Sequence, residues 1–211
     1  MKIAVLGYGT IGRGVYEILS NPVTDYTKKI QVSYIWIRKG KEKALPEMCD
    51  DFNIILQDKE VEVVVELLGG IEPAHTMILE ALRAGKHVVT ANKKVTAQYL
   101  KEFLEVAKEH HVQFLFEATT GGGIPWVRAV EKVKRIDEVS DFHGIFNGTT
   151  NYILDRMYKE GAEFDDVLIL YFVKEKRPKK TDILPYVSLP QLIYPEIHRF
   201  TYLQILHLII R

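Results

Sequence analysis

Cysteine is almost missing from this chain: Cys49 is the only one in 211 residues. A single thiol excludes an internal disulfide and any cysteine-based zinc site, which fits a reducing compartment. Net charge is missing too, with 28 basic and 28 acidic residues, so neither nucleic acid nor an anionic membrane is expected as the main partner. No apolar run approaches the ~20 residues of a spanning helix. Met1-Lys2 precede only a few apolar residues before glycines begin, so no secretory leader is expected. These absences together lead to the expectation of a cytoplasmic protein acting on a small molecule. The seven histidines show no H-E-x-x-H or comparable ligand spacing. One further absence is local. All fourteen glycines lie at or before Gly161 and the last alanine is Ala162, so residues 171–211 contain neither, yet they hold half of the eight prolines. At ~7% usage, about three glycines would be expected there.

What the chain does have begins at its first residues. Ile3-Ala4-Val5-Leu6 reads as a strand, Gly7-Tyr8-Gly9-Thr10-Ile11-Gly12 as a turn, and residues 14–19 as a helix. Strand, G-x-G-x-x-G and helix in that order form the phosphate-binding turn of a dinucleotide fold. Gly7 permits the tight turn, Gly9 lets backbone approach a pyrophosphate, and Gly12 lets helix pack on strand. The N–H groups at the helix start, around Thr10 and Ile11, then face the anion.

Strand and helix alternate from there for about 120 residues, the pattern of a doubly wound, mostly parallel α/β sheet. Strands are expected over 30–37, 61–68, 87–90 and 112–116. Residues 54–56 form only a short apolar patch. Helices are expected from Pro73 to Gly85 and around residues 100–107. Pro125 suits the first turn of another helix running toward Val133. Beyond residue 136 the texture changes, with 142–146 strand-like and 150–158 helix-like, so a nucleotide domain is expected over 1–125 and a second domain after it.

Several residues stand where such a fold does its chemistry. Arg38 and Lys39 occupy the place usually held by an acid against the ribose 2′-hydroxyl; positive charge there suits a 2′-phosphate and favours NADP over NAD. Thr90, Asn92 and Lys93 lie just beyond a strand's carboxyl end, where open α/β sheets bind ligands, and Lys93 is placed to hydrogen-bond a substrate oxygen or a cofactor amide. Glu117 ends another strand before a glycine-rich loop. It reads either as a helix-capping or ion-paired carboxylate, or as one ligand of a hard monovalent cation otherwise held by carbonyls. Asn147-Gly148-Thr149-Thr150 is a polar turn that either caps a helix or lines a substrate cleft. Cys49, in a charged stretch with nothing to activate it, reads as a packing residue.

Taken together, these stretches resemble homoserine dehydrogenase. The resemblance is carried by the glycine turn, by Val64 through Ala74, by Ala84 through Lys93, by Glu117 through Pro125, and by Gly144 through Leu154, in the family's order. It covers residues 1 to about 170. It implies a Rossmann-like domain followed by a partial α+β catalytic and dimerisation domain over 126–170. The implied reaction is the nicotinamide-dependent interconversion of L-homoserine and L-aspartate 4-semialdehyde, on the route to threonine and methionine. On this resemblance Lys93 is the lysine beside nicotinamide and substrate. Glu117 is the sodium-site glutamate, with Thr120, Gly122 and Ile124 in the carbonyl positions, and Asn147, Gly148 and Thr149 belong to the substrate cleft.

Residues 169 onward depart from the family. Its substrate-amine aspartate and its proton-donor lysine cannot be aligned there, and Lys174, Lys176, Lys179 and Lys180 sit in no family motif. The departure coincides with the compositional break, which leaves two readings of 171–211: translation out of frame, or a divergent tail. A chain lacking the proton donor is expected to bind NADP with weak or absent turnover, and in the limit to be an inactive NADP-binding module. Aspartate-semialdehyde dehydrogenase would need an activated cysteine in the second domain, whereas Cys49 lies in the first. Homodimerisation, usual for the family's second domain, is left open by its incompleteness here.

Overall fold

The computed structural model describes residues 1–121, 124–141, 148–164 and 166–167. The chain divides into two compact units, one formed by Met1–Lys132 and another starting at Val133. In the first, β1 (Lys2–Leu6), β2 (Gln31–Trp36), β3 (Met48–Cys49), β4 (Val61–Glu66), β5 (His87–Thr90) and β6 (Phe114–Leu115) make one sheet. Their order is β3-β2-β1-β4-β5-β6, and every pairing is parallel. The strand order reverses between β1 and β4, and the crevice outside the strands' carboxyl ends at such a switch is where doubly wound sheets take their ligands.

Both faces of the sheet are covered, which is why its central strands are apolar throughout rather than alternating. Ala4, Leu6, Val64 and Val88 point to one side and join Met77, Ile78 and Leu82 of α3 (Ala74–Arg83), Phe103 of α4 (Lys93–Glu109) and Ile55 of α2 (Phe52–Gln57). Ile3, Val5, Val63, Val65 and Val89 point to the other and pack on Val15 and Leu19 of α1 (Thr10–Ser20) and on Ala118. Successive residues of one strand thus feed two cores, as a period of two requires.

Three local features differ from the sequence expectation. The patch at residues 54–56 is part of α2, which starts because the Asp51 carboxylate accepts the Asn53 N–H at 2.9 Å. Only Phe114 and Leu115 of the expected strand over 112–116 pair with a neighbour. Cys49 sits in β3, a two-residue strand too short to show a pattern; it is partly buried, and burial raises its thiol above the ordinary range. α5 covers Trp126–Val133, and the division between the two units falls at its end, after Lys132. In the second unit α6 (Gly148–Glu160) is described. The strand expected at 142–146 and the tail at 171–211 lie outside the described residues. Among the described residues no helix is long and apolar enough to cross a membrane.

Candidate functional site

The three glycines of the opening turn are held by different constraints. Gly7 has φ +102°, and a Cβ there would stand 3.1 Å from the Leu67 carbonyl oxygen and 3.2 Å from Leu68 Cδ2. Its N–H donates to the Trp36 carbonyl at 2.9 Å, tying the end of β1 to the end of β2. A Cβ on Gly12 would fall 2.1 Å from the Gly7 carbonyl oxygen. The fold itself therefore requires both of these to be glycine. Gly9 is different: its φ of −81° suits any residue, and a Cβ there would meet nothing within 4 Å among the described residues. Among the described residues, neither backbone nor packing demands glycine at this position, the condition under which a ligand can approach the backbone closely. No side chain caps α1 at Gly9 and its first turn holds no acid, so the positive end of the helix suits an anion. The turn fits a dinucleotide pyrophosphate.

The loops after β4 and β5 are stitched together by a carboxylate that sequence reasoning passed over. Glu66, the last residue of β4, is wholly buried. One of its oxygens accepts the Leu68 N–H at 2.8 Å and the Asn92 amide at 3.3 Å; the other accepts the Thr90 hydroxyl at 2.6 Å. Thr90 Oγ1 in turn accepts the Asn92 N–H at 2.9 Å, and Asn92 Nδ2 donates to the Gly70 carbonyl at 2.8 Å. Burial pushes the Glu66 carboxyl above the ordinary glutamate value, with the hydrogen bonds from Thr90, Leu68 and Asn92 pulling the other way. The one available signal was position: a carboxylate ending a strand that is otherwise buried on both faces, at the sheet's carboxyl edge.

This network sets the start of α4. Asn92 caps the helix, its Oδ1 accepting the Val95 N–H at 3.3 Å, and Lys93 is the first helical residue. The side chains of Thr90 and Asn92 are thus turned inward onto Glu66. Lys93 is half-buried, and among the described residues its ammonium has no hydrogen-bond or ion-pair partner. Burial lowers its pKa from the ordinary lysine value. An unpaired, partly desolvated lysine at a strand's carboxyl end is poised to donate a hydrogen bond to a ligand oxygen. Arg38 and Lys39 stand exposed just beyond β2, and neither head is in a salt bridge among the described residues.

Glu117 is almost wholly buried, and its carboxylate caps α5. One oxygen accepts the Val127 N–H at 2.9 Å, the other the Arg128 N–H at 3.1 Å with Arg128 Nε at 3.9 Å. Of the other residues expected around a cation, Thr120 and Ile124 flank this corner, the Ile124 carbonyl accepting the Trp126 N–H at 2.8 Å; Gly122 lies outside the described residues. Gly148 and Thr149 start α6, and Asn147 also lies outside the described residues.

The family model for the NAD-binding domain of homoserine dehydrogenase matches residues 7–117, and the homoserine dehydrogenase model matches 125–171. The chain belongs to the homoserine dehydrogenase family. It is 43% identical over 175 residues to the homoserine dehydrogenase of a Synechocystis strain, covering 80% of this chain and 40% of that one. Against the Bacillus subtilis homoserine dehydrogenase it is 38% identical over 181 residues, covering 80% and 41%. The chain thus spans about two fifths of the length of these curated relatives. Among solved structures, a homoserine dehydrogenase from Thiobacillus denitrificans superposes with a TM-score of 0.74 at 32% identity, covering 100% of this chain and 48% of that one. Within the family, residues 7–117 are the nicotinamide-dinucleotide domain, and the glycine turn and the Glu66 network lie inside it.

Proposed function

We propose that the chain binds a nicotinamide dinucleotide across the β1–β4 crevice, NADP(H) in preference to NAD(H), at the site where homoserine dehydrogenases oxidise L-homoserine to L-aspartate 4-semialdehyde and reverse the step. The observation that carries this is Gly9, bare where neither fold nor packing requires it, at the uncapped start of α1. Gly7, Gly9, Thr10, Ile11 and Gly12 take the pyrophosphate. Arg38 and Lys39 are exposed cations at the end of β2 and take the ribose 2′-phosphate. When bound, the nicotinamide supplies hydride exchange at its C4. Lys93 then donates to a substrate oxygen or to the carboxamide, and the backbone at Thr90 and Asn92 lines the same edge, held rigid by Glu66.

The cation reading is part of the same proposal. Glu117 and the carbonyls of Thr120, Gly122 and Ile124 would hold a sodium ion. All are hard oxygen donors, and a carboxylate offers about four lone-pair sites, of which capping α5 uses two. Residues 126–170 supply the start of the substrate domain, with Asn147, Gly148 and Thr149 in the cleft, and of the surface that pairs subunits.

The sequence of 171–211 offers no counterpart to the family's substrate-amine aspartate or proton-donor lysine, so we assign this chain binding with impaired turnover. Loss of a general acid costs ~10²–10⁴ in rate. The test is NADP⁺ reduction by the purified chain with saturating L-homoserine. A rate at least ~10²-fold below the roughly 10 s⁻¹ usual for enzymes is expected. Turnover at that usual rate would contradict impairment. Binding without any detectable turnover would favour the second reading, a nucleotide-binding module, to which the unmatched sequence beyond residue 171 points.

A further inference from the structure

Arg13 is a cation in an unfavourable place. It lies in the first turn of α1, where the helix dipole is positive and repels basic side chains. Its guanidinium carbon sits 5.4 Å from the centre of the Tyr8 ring, within cation–π range, and among the described residues it pairs with no carboxylate. Tyr8 itself is fixed. It makes an edge-to-face contact with Tyr16 at 6.0 Å and packs on the cluster of Ile35, Ile37 and Met48.

That packing takes the ring, and Arg13 with it, to the end of β2. Leu6 pairs with Trp36 in the parallel register, and the Gly7 N–H bonds the Trp36 carbonyl. The next residue, Tyr8, packs on Ile37, the neighbour of Arg38 in the chain. The other charged groups acting on the Tyr8 phenol are Glu17, one turn further along α1, and Glu47, whose carboxylate lies 3.4 Å from the Tyr16 hydroxyl. A guanidinium lying over a ring keeps its N–H fork free at the edge for a phosphate.

We infer that Arg13, held over the Tyr8 ring, is a further specificity-determining residue for the nucleotide's 2′-phosphate, acting with Arg38 and Lys39. The inference rests on the nicotinamide-binding reading above and adds a third cation to it.

The experiment is titration of the full chain with NADPH and, separately, with NADH at low ionic strength, read by nicotinamide fluorescence, for the wild type, Arg13→Gln and Arg13→Lys. Glutamine removes the charge and keeps the helix propensity, and NADH binding reports that the turn is intact. Arg13→Gln is expected to weaken NADPH about tenfold, the value of one charge-assisted contact, and NADH less than about twofold. Arg13→Lys should fall between, keeping charge but losing the fork. Equal weakening of both nucleotides, or an unchanged NADPH affinity, would overturn the role of Arg13 while leaving the binding site standing. A wild-type chain that binds neither nucleotide would overturn the site itself.

Discussion

Glu66 accepts three hydrogen bonds from neighbours in the chain, and that makes it the most consequential single residue outside the glycine turn. Glu66→Ala would leave the Thr90 hydroxyl, the Leu68 N–H and one Asn92 amide proton without an acceptor, at a cost of about 2–4 kcal/mol. The pH dependence follows from the direction of its shift. Its carboxyl titrates above 4.5 in the folded chain because burial disfavours the charged form. Between 4.5 and that higher value the folded state holds more protons than the unfolded state, so this residue's contribution to stability falls as pH rises through that window. Glu66→Gln should remove that fall. Urea midpoints measured from pH 4.5 upward test this: the wild-type curve is expected to decline relative to the variant's, and parallel curves would contradict it. None of this was visible in the sequence, where Val61 through Leu68 reads as one buried strand and nothing shows which way the Glu66 side chain points.

Elements were more legible than residues wherever the signal was contiguous. The strand, turn and helix at the chain's start are adjacent in sequence, so their spacing alone carries the fold of that corner. The start of α5 is a different case. Pro125 marked a helix start, but the capping group, Glu117, is ten residues away from Val127, and no local pattern connects them. Glu117→Ala should cost about 1–2 kcal/mol through the two uncapped N–H groups. The sodium proposal adds a distinct expectation. Replacing choline by sodium at fixed ionic strength should raise the melting temperature of the wild type and leave that of Glu117→Ala unchanged. Melting temperatures indifferent to sodium in both would reduce Glu117 to a helix cap. Short elements were the least legible: β3 has two residues, and α2 begins at an aspartate whose capping bond is set by the chain's path rather than by periodicity.

On the scale of the molecule, the first unit is a complete nucleotide-binding sheet with its own two cores, while the chain covers about two fifths of its relatives' length. Family membership was legible because five motifs fall in order along 170 residues. The division of labour among the three glycines was not, since a motif cannot say which of its positions the fold itself needs. That division gives the most direct test: fluorescence titration of NADPH into the wild-type chain and into Gly9→Ala, with melting temperatures of both. Alanine at position 9 meets nothing among the described residues and keeps an ordinary φ, so equal melting temperatures are expected. The wild type should saturate within the roughly micromolar-to-millimolar range of enzyme ligands, and Gly9→Ala should bind at least about tenfold more weakly because its methyl occupies the pyrophosphate's approach. Equal affinity of the two proteins, or no saturable binding by the wild type, would contradict the account.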